Sequence, residues 1–200
     1  MSIKRKTDRR TIYTINLIKD SFIELIKKLP YSQITVAKLC RQAELSRSTF
    51  YLHFDSLTAV LNAVLDDAIT YVPTGQSNAD SLAKVPVDYL KQNESLIPVC
   101  QRIGNSAKYQ QLLMDPDLSE YIIGRILAHE RDKVIPSIQK KTSLSAKDAE
   151  TIFLYMLHGS FAINQIHHFT KDQEWYHEVK LLNQFTDGGY QALKQANTND

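Results

Sequence analysis

The sequence predicts an all-α protein, with an N-terminal three-helix head containing a helix-turn-helix and a larger C-terminal helical body. Apolar residues recur at steps of three and four along most of the chain, with no two-residue alternation. Six Gly and six Pro in 200 residues are too few for a turn-rich β architecture. Residues 34–54, ITVAKLCRQAELSRSTFYLHF, read as two short helices joined by a tight turn.

The chain opens on a basic arm, residues 1–10, holding Lys4, Arg5, Lys6, Arg9 and Arg10. It lacks the apolar core that a secretory leader needs. A first helix is predicted over 11 to about 29, because Ile12, Ile15, Ile18, Phe22, Leu25, Ile26 and Leu29 share one face. Lys27 and Lys28 suit the dipole at its end, and Pro30 stops it. Thr35 is the expected N-cap of a second helix, 36 to about 43, with Leu39, Cys40 and Ala43 on its buried face. Glu44-Leu45 makes the turn. Ser46 then caps a third helix over about 47–54. Asp55 or Ser56 caps a fourth, 57 to about 71, which joins head to body.

Residues 73–81, PTGQSNADS, form the clearest loop. Turns are predicted at Gly104-Asn105-Ser106 and at Asp115-Pro116-Asp117. A long helix over about 118–141 should be kinked or broken near Pro136. Ser145 with Asp148 opens the next helix as a weak capping box. That helix, to about 169, is apolar nearly all round, which predicts burial on more than one side. The last helix covers about 174–195 and is interrupted by Gly188-Gly189. The predicted division is a helix-turn-helix unit at 1–56, a connecting helix at about 57–72, and a helical domain at 73–200.

Charge is unevenly spread. Residues 1–60 hold eleven Lys/Arg against five Asp/Glu, while the remainder holds thirteen against seventeen. A basic head on an acidic body predicts that the head meets a polyanion. Cys40 and Cys100 lie in apolar surroundings without CxxC spacing, as expected of reduced thiols. No apolar run approaches a membrane span. No His/Cys/carboxylate pattern of metal-site spacing occurs, and there is no P-loop, GxGxxG or GxSxG. Neither a metal, a cofactor, a catalytic residue nor an enzymatic activity is expected.

In the third helix Phe50 and Phe54 lie four apart and should face inward. That leaves Arg47, Ser48, Thr49, Tyr51, Leu52 and His53 on the outer arc. Arg47 can donate two hydrogen bonds to guanine, and Leu52 can meet a thymine methyl. Thr49 suits a phosphate or a thymine edge. Tyr51 and His53, with Thr35 and Lys38 on the preceding helix, are placed for phosphates. Ser46 completes the expected DNA-contacting set. The same spacing would also fit a plain helical bundle with a polar face.

Ile34-Thr35-Val36, Leu39, Ala43, Leu45-Ser46, Ser48-Thr49-Phe50-Tyr51 and His53-Phe54 resemble, in order and spacing, the DNA-binding head of the tetracycline-repressor (TetR/AcrR) family of bacterial transcription regulators. The resemblance covers about residues 8–65. The segment FLYMLHGSFAINQIHHF and the helix after it are similar in layout to one branch's carboxyl-terminal body. Two departures stand out: Glu44 replaces the usual turn Gly, and Leu57 occupies a place where the family often has a phosphate-binding Lys. A left-handed turn position costs a non-Gly residue roughly 1 kcal/mol.

The resemblance implies a cytoplasmic, nucleoid-associated homodimer that binds double-stranded operator DNA. It implies a repressor that leaves a pseudo-palindromic operator when a small-molecule effector enters the body. The alternatives are an activator, or a helical adaptor whose body binds a protein. Polar or soft residues among apolar ones, Tyr89, Gln101, Met114, Tyr121, Arg125, His129 and Met156, are the candidate effector-pocket lining. Phe161, Gln165, His168, Leu182 and Phe185 are the candidate dimer contacts.

Overall fold

The computed structural model describes residues 9–70, 103–104 and 106–198. Residues 1–8 of the basic arm, the 73–81 loop, Tyr89, Gln101 and Asn105 lie outside the described residues. Within them the chain is all helical: eight α-helices and one 3-10 turn, arranged as a smaller N-terminal head and a larger C-terminal body.

Helix α1 (Arg9–Ile26) buries Ile18, Phe22, Ile23, Leu25 and Ile26. It begins within the expected arm, at Arg9, and ends before Pro30. Ile12, at the N-terminal end of the predicted stripe, is largely exposed because the helix runs past the edge of the core there. A 3-10 turn (Tyr31–Gln33) leads into α2 (Val36–Gln42), and Thr35 caps α2 by accepting the Lys38 N–H. Helix α3 (Arg47–Tyr51) is shorter than predicted. Its end is fixed by the Phe50 carbonyl, which accepts the N–H groups of both His53 and Phe54. Ser56 is the residue that caps α4 (Leu57–Thr70), accepting the Ala59 N–H at 3.1 Å. Phe22, Leu39, Phe50, Val60 and Leu65 are wholly enclosed. Burial of each such side chain contributes about 1.5–3 kcal/mol.

The described body comprises α5 (Ala107–Met114), α6 (Ser119–Thr142), α7 (Ala146–Ile166) and α8 (Gln173–Thr198). Helix α6 runs through Pro136 instead of breaking there. Pro136 and Asp132, whose carbonyl loses its intrahelical partner, both face outward, so solvent can satisfy it. Ser143 ends α6 in a left-handed conformation, and Ser145 caps α7 through the Asp148 N–H. Helix α8 likewise runs through Gly188 and Gly189. A Cβ at either glycine would meet nothing within 4 Å, so within one chain they are neither a break nor a packing point.

The α7–α8 corner is built around an aromatic plug. His168 and Phe169 both adopt positive φ (48° and 55°). This turns Phe169 back onto Phe161, with ring centroids 5.7 Å apart. Gly104 is required beneath it, since a Cβ there would lie 2.3 Å from Phe169 Cδ1. Trp175 fills the interior and donates its indole N–H to Asn164 Oδ1 at 2.9 Å.

His167 closes the same corner. Its side chain is 7% exposed, with Nε2 at 2.9 Å from Glu178 and Nδ1 at 3.6 Å from Asp172. The hydrogen bond to Glu178 raises its pKa above the ordinary 6.5, against the opposing effect of burial. The folded state thus holds the proton more tightly than the unfolded chain does. The resulting stability is fully present below about pH 6.5 and fades as pH rises through the raised value. Melting curves between about pH 6 and pH 9 should show the native chain losing an advantage over a His167→Asn variant. Parallel curves would mean that the ion pair contributes nothing.

Candidate nucleic-acid interface

The two-helix unit is set by α2, the turn and α3. Glu44 takes the left-handed conformation, φ 53°, which the Glu44-Leu45 turn demands. The Leu45 N–H then donates to the Cys40 carbonyl at 2.9 Å and locks the turn. Phe50 and Phe54 point inward, their rings 6.2 Å apart, and Leu39, Cys40 and Ala43 close over them. Anchoring that face fixes what remains outside.

Arg47, Ser48, Tyr51 and Leu52 are exposed, and Thr49 and His53 are half-buried. Leu52, at 80% exposure, is the most exposed large apolar residue among the described residues. Ser46 caps α3 as expected. Its hydroxyl accepts the Thr49 N–H at 3.0 Å and lies 2.8 Å from both Ser48 Oγ and Thr49 Oγ1. Three of the predicted contacts are therefore linked in one hydroxyl cluster at the start of α3. Thr35 is similarly engaged as a cap, and Lys38 Nζ donates to the Gln33 carbonyl at 2.9 Å. Arg47 makes no hydrogen bond to any described residue, so its guanidinium is available at the tip. The outward surface can thus offer a planar forked donor, a large apolar group and a phenol on one short helix.

Of the candidate effector residues, the described ones lie on three helices: Met114 on α5, Tyr121, Arg125 and His129 on α6, and Met156 on α7. Tyr121, Arg125 and His129 share a face of α6, but its buried side is formed instead by Ile122, Ile123, Ile126, Ile135 and Ile138. Tyr121 donates to Asn62 at 2.5 Å and Arg125 pairs with Asp66, so both clamp α6 onto α4. His129 pairs with its neighbour Glu130 at 2.9 Å. Met156 accepts the Tyr190 hydroxyl at 3.1 Å, and burial pushes that phenol up to about 12. Met114 lines a shallow cleft of about 230 Å³ between the end of α1 and the α5–α6 turn.

The candidate dimer residues divide. Phe161 is 1% exposed and belongs to the core of its own chain, behind Phe169. Gln165 donates inward, to Ser119 at 3.0 Å and to the Leu113 carbonyl at 3.4 Å. Phe161 is thus a correction to the predicted contact set, while Gln165 is half-buried with its amide engaged within its own chain. His168 and Phe185 are exposed and Leu182 is half-buried. The outward apolar residues that sequence reasoning missed are Leu154, Tyr155 and Ile166 on α7 and Leu181 on α8. Helical spacing from Phe185, four residues to Leu181, could have located the last of these.

Among the described residues, no group of three or more His, Cys, Asp or Glu is placed to hold a metal ion, and no helix is long and apolar enough to cross a membrane. No family model matches the sequence. The head with its exposed tip and the comparison with curated proteins together support a transcription regulator as the general class. The relative that carries this is the HTH-type dhaKLM operon transcriptional activator DhaS of Lactococcus lactis subsp. lactis (strain IL1403). The two are 25% identical over 146 residues, 73% of each chain.

Proposed function

We propose that this chain is a homodimeric, DNA-binding transcription regulator of the tetracycline-repressor kind, not an enzyme, acting in the bacterial cytoplasm. The observation that carries the reading is the outer side of α3 and its C-cap, where Arg47 at the helix start and Leu52 just past its end stand exposed, while Phe50 and the following Phe54 pin the inner side. An arginine fork and an apolar group suit a guanine edge and a thymine methyl in the major groove. Two such tips, roughly 34–36 Å or somewhat more apart, would meet successive major grooves of a pseudo-palindrome.

Dimerisation is assigned to the outward faces of α7 and α8. Tyr155, Gly159, Ala162 and Ile166 line α7, and Leu181, Phe185 and Gly188 line α8. Each helix-interior Gly costs about 0.5–1 kcal/mol relative to Ala. Open space above Gly159, Gly188 and Gly189 is what close approach of a second copy would use.

In this reading the body binds a small-molecule effector whose arrival releases the operator, making the chain a repressor. A second reading, activation, is favoured by the relative, an operon activator. Selection from random-sequence duplexes tests DNA binding. A reporter placed under the selected site separates the two modes, because expression rises on loss of the chain for a repressor and falls for an activator. Arg47→Ala is expected to weaken specific binding by about 1–3 kcal/mol, roughly 5- to 150-fold, with little change on non-specific DNA. Unchanged specific affinity in gel-shift titrations would remove Arg47 from base reading.

A further inference from the structure

The body supplies the head with a cap that the head's own sequence lacks. The 3-10 turn Tyr31–Gln33 begins after Pro30, which is extended (φ −62°, ψ 153°) and makes no side-chain cap. The first amide of such a turn has no partner within it. Asp115, between α5 and α6, fills the gap: its Oδ2 accepts the Tyr31 N–H at 2.6 Å, across 84 residues of sequence. Its Oδ1 accepts the Asp117 N–H at 2.9 Å in an Asx turn, which fixes where Oδ2 points. Pro116 between them has no N–H to compete. The residue is only 6% exposed, so a charged group is buried against two amides.

Tyr31 passes this hold into the head. Its ring meets Phe22 edge-on at 6.2 Å, and its hydroxyl lies 3.4 Å from Thr58 Oγ1 near the start of α4. Thr35 and α2 follow directly in sequence. At the other end, the two-helix unit runs into α4, which Tyr121 and Arg125 clamp to α6. The α5–α6 turn and α6 itself therefore grip the two-helix unit at both ends. Helix α5 also packs on α1 through the shared apolar core, which is not directional, and their ion pair, Lys108 to Asp20 at 2.9 Å, is solvent-exposed and salt-screened, so it is a weak substitute.

We infer that Asp115 is a positioning residue, fixing the angle at which the two-helix unit stands on the body and, in the dimer, the separation of the two recognition tips. The second half rests on the proposed dimeric regulator; the first does not.

Spin labels at Gln42 on the head and Lys147 on the body, both exposed, report the angle as an intramolecular distance. Labelled chain is diluted with unlabelled chain and measured by pulsed dipolar spectroscopy. The native sequence should give one narrow distribution, and Asp115→Asn a broader or shifted one. Adding Pro30→Asp offers the 3-10 turn a side-chain cap at the Ser32 or Gln33 N–H from within the head, which should recover heat stability while leaving the distribution broad. An unchanged distribution in Asp115→Asn, or one that Pro30→Asp narrows again, overturns the inference, because Asp115 is then a local cap only.

The spacing arm uses a selected operator and versions with a base pair added or removed between half-sites. The double variant should lose roughly tenfold of the spacing preference, the scale of one charge-assisted hydrogen bond, yet bind a single half-site normally. A retained preference refutes the role in tip separation. A native chain that selects no DNA refutes the regulator reading instead, and the distance measurement still decides Asp115.

Discussion

Phe185→Glu is expected to convert the chain into a folded monomer that no longer holds an operator. Phe185 is 66% exposed on α8, with Leu181 one turn before it and Gly188 three residues after. On an isolated chain a carboxylate there is solvated and costs almost nothing, so helix content and the α6–α7–α8 core should persist. In a two-fold interface the same change places two carboxylates in one apolar patch. Each then carries a desolvation penalty of several kcal/mol with no cation opposite it. Association is expected to fail in sedimentation velocity at concentrations where the native chain is dimeric. Operator affinity should fall with it, by about 10²–10⁴-fold, because two linked half-site contacts become two independent ones. A variant that stays dimeric would move the interface away from α7 and α8. A variant that unfolds would give Phe185 a role inside its own chain, and Leu181→Glu then repeats the test one turn away.

Phe185 was singled out in the sequence and spacing from it reaches Leu181, whereas the outward positions of Tyr155 and Ile166 on α7 were not legible, and the difference has a physical cause. Helix α8 is amphipathic, so its own chain leaves one side uncovered, and Phe185 and Leu181 stand there. Helix α7 is apolar all round, and periodicity cannot say which face its own chain will cover. Phe169 decides that question, by a left-handed turn after α7 that sends its ring onto Phe161 and needs Gly104 beneath it. Phe161 is thereby inside, and Tyr155 and Ile166 are left outside.

The head was more legible because its determinants are local. Thr35 and Ser46 cap the helices that follow them, Glu44 takes the left-handed turn, and Phe50 and Phe54 share a face. All of these depend on residues no more than four positions away. Ser46 belongs to the same local set, since its hydroxyl caps α3 by accepting the Thr49 N–H. Tyr121, Arg125 and Asp115 were opaque for the opposite reason. Their partners Asn62, Asp66 and Tyr31 lie 59 or 84 residues away, and no spacing rule reaches that far.

Trp175→Ala is the substitution expected to damage the body most. Trp175 is the largest fully enclosed side chain among the described residues. Its removal from α8 leaves a cavity beside Asn164 of α7, in a wholly enclosed part of the body. Truncations of this kind cost about 3–5 kcal/mol. A second cost is chemical. Asn164 is buried, donates to the Ser160 carbonyl at 2.7 Å and accepts the Trp175 indole N–H at 2.9 Å. Without the indole its Oδ1 is enclosed with no donor, at a further cost of about 1–3 kcal/mol. Trp175→Phe separates the two effects, because it keeps most of the ring volume and deletes only the N–H. Urea unfolding at fixed chain concentration should rank native above Trp175→Phe above Trp175→Ala. If Trp175→Phe is as stable as the native chain, the Asn164 hydrogen bond is not what holds the corner. If Trp175→Ala loses less than about 1 kcal/mol, the corner relaxes freely and cannot be the rigid support that the α7–α8 face needs to meet a second copy.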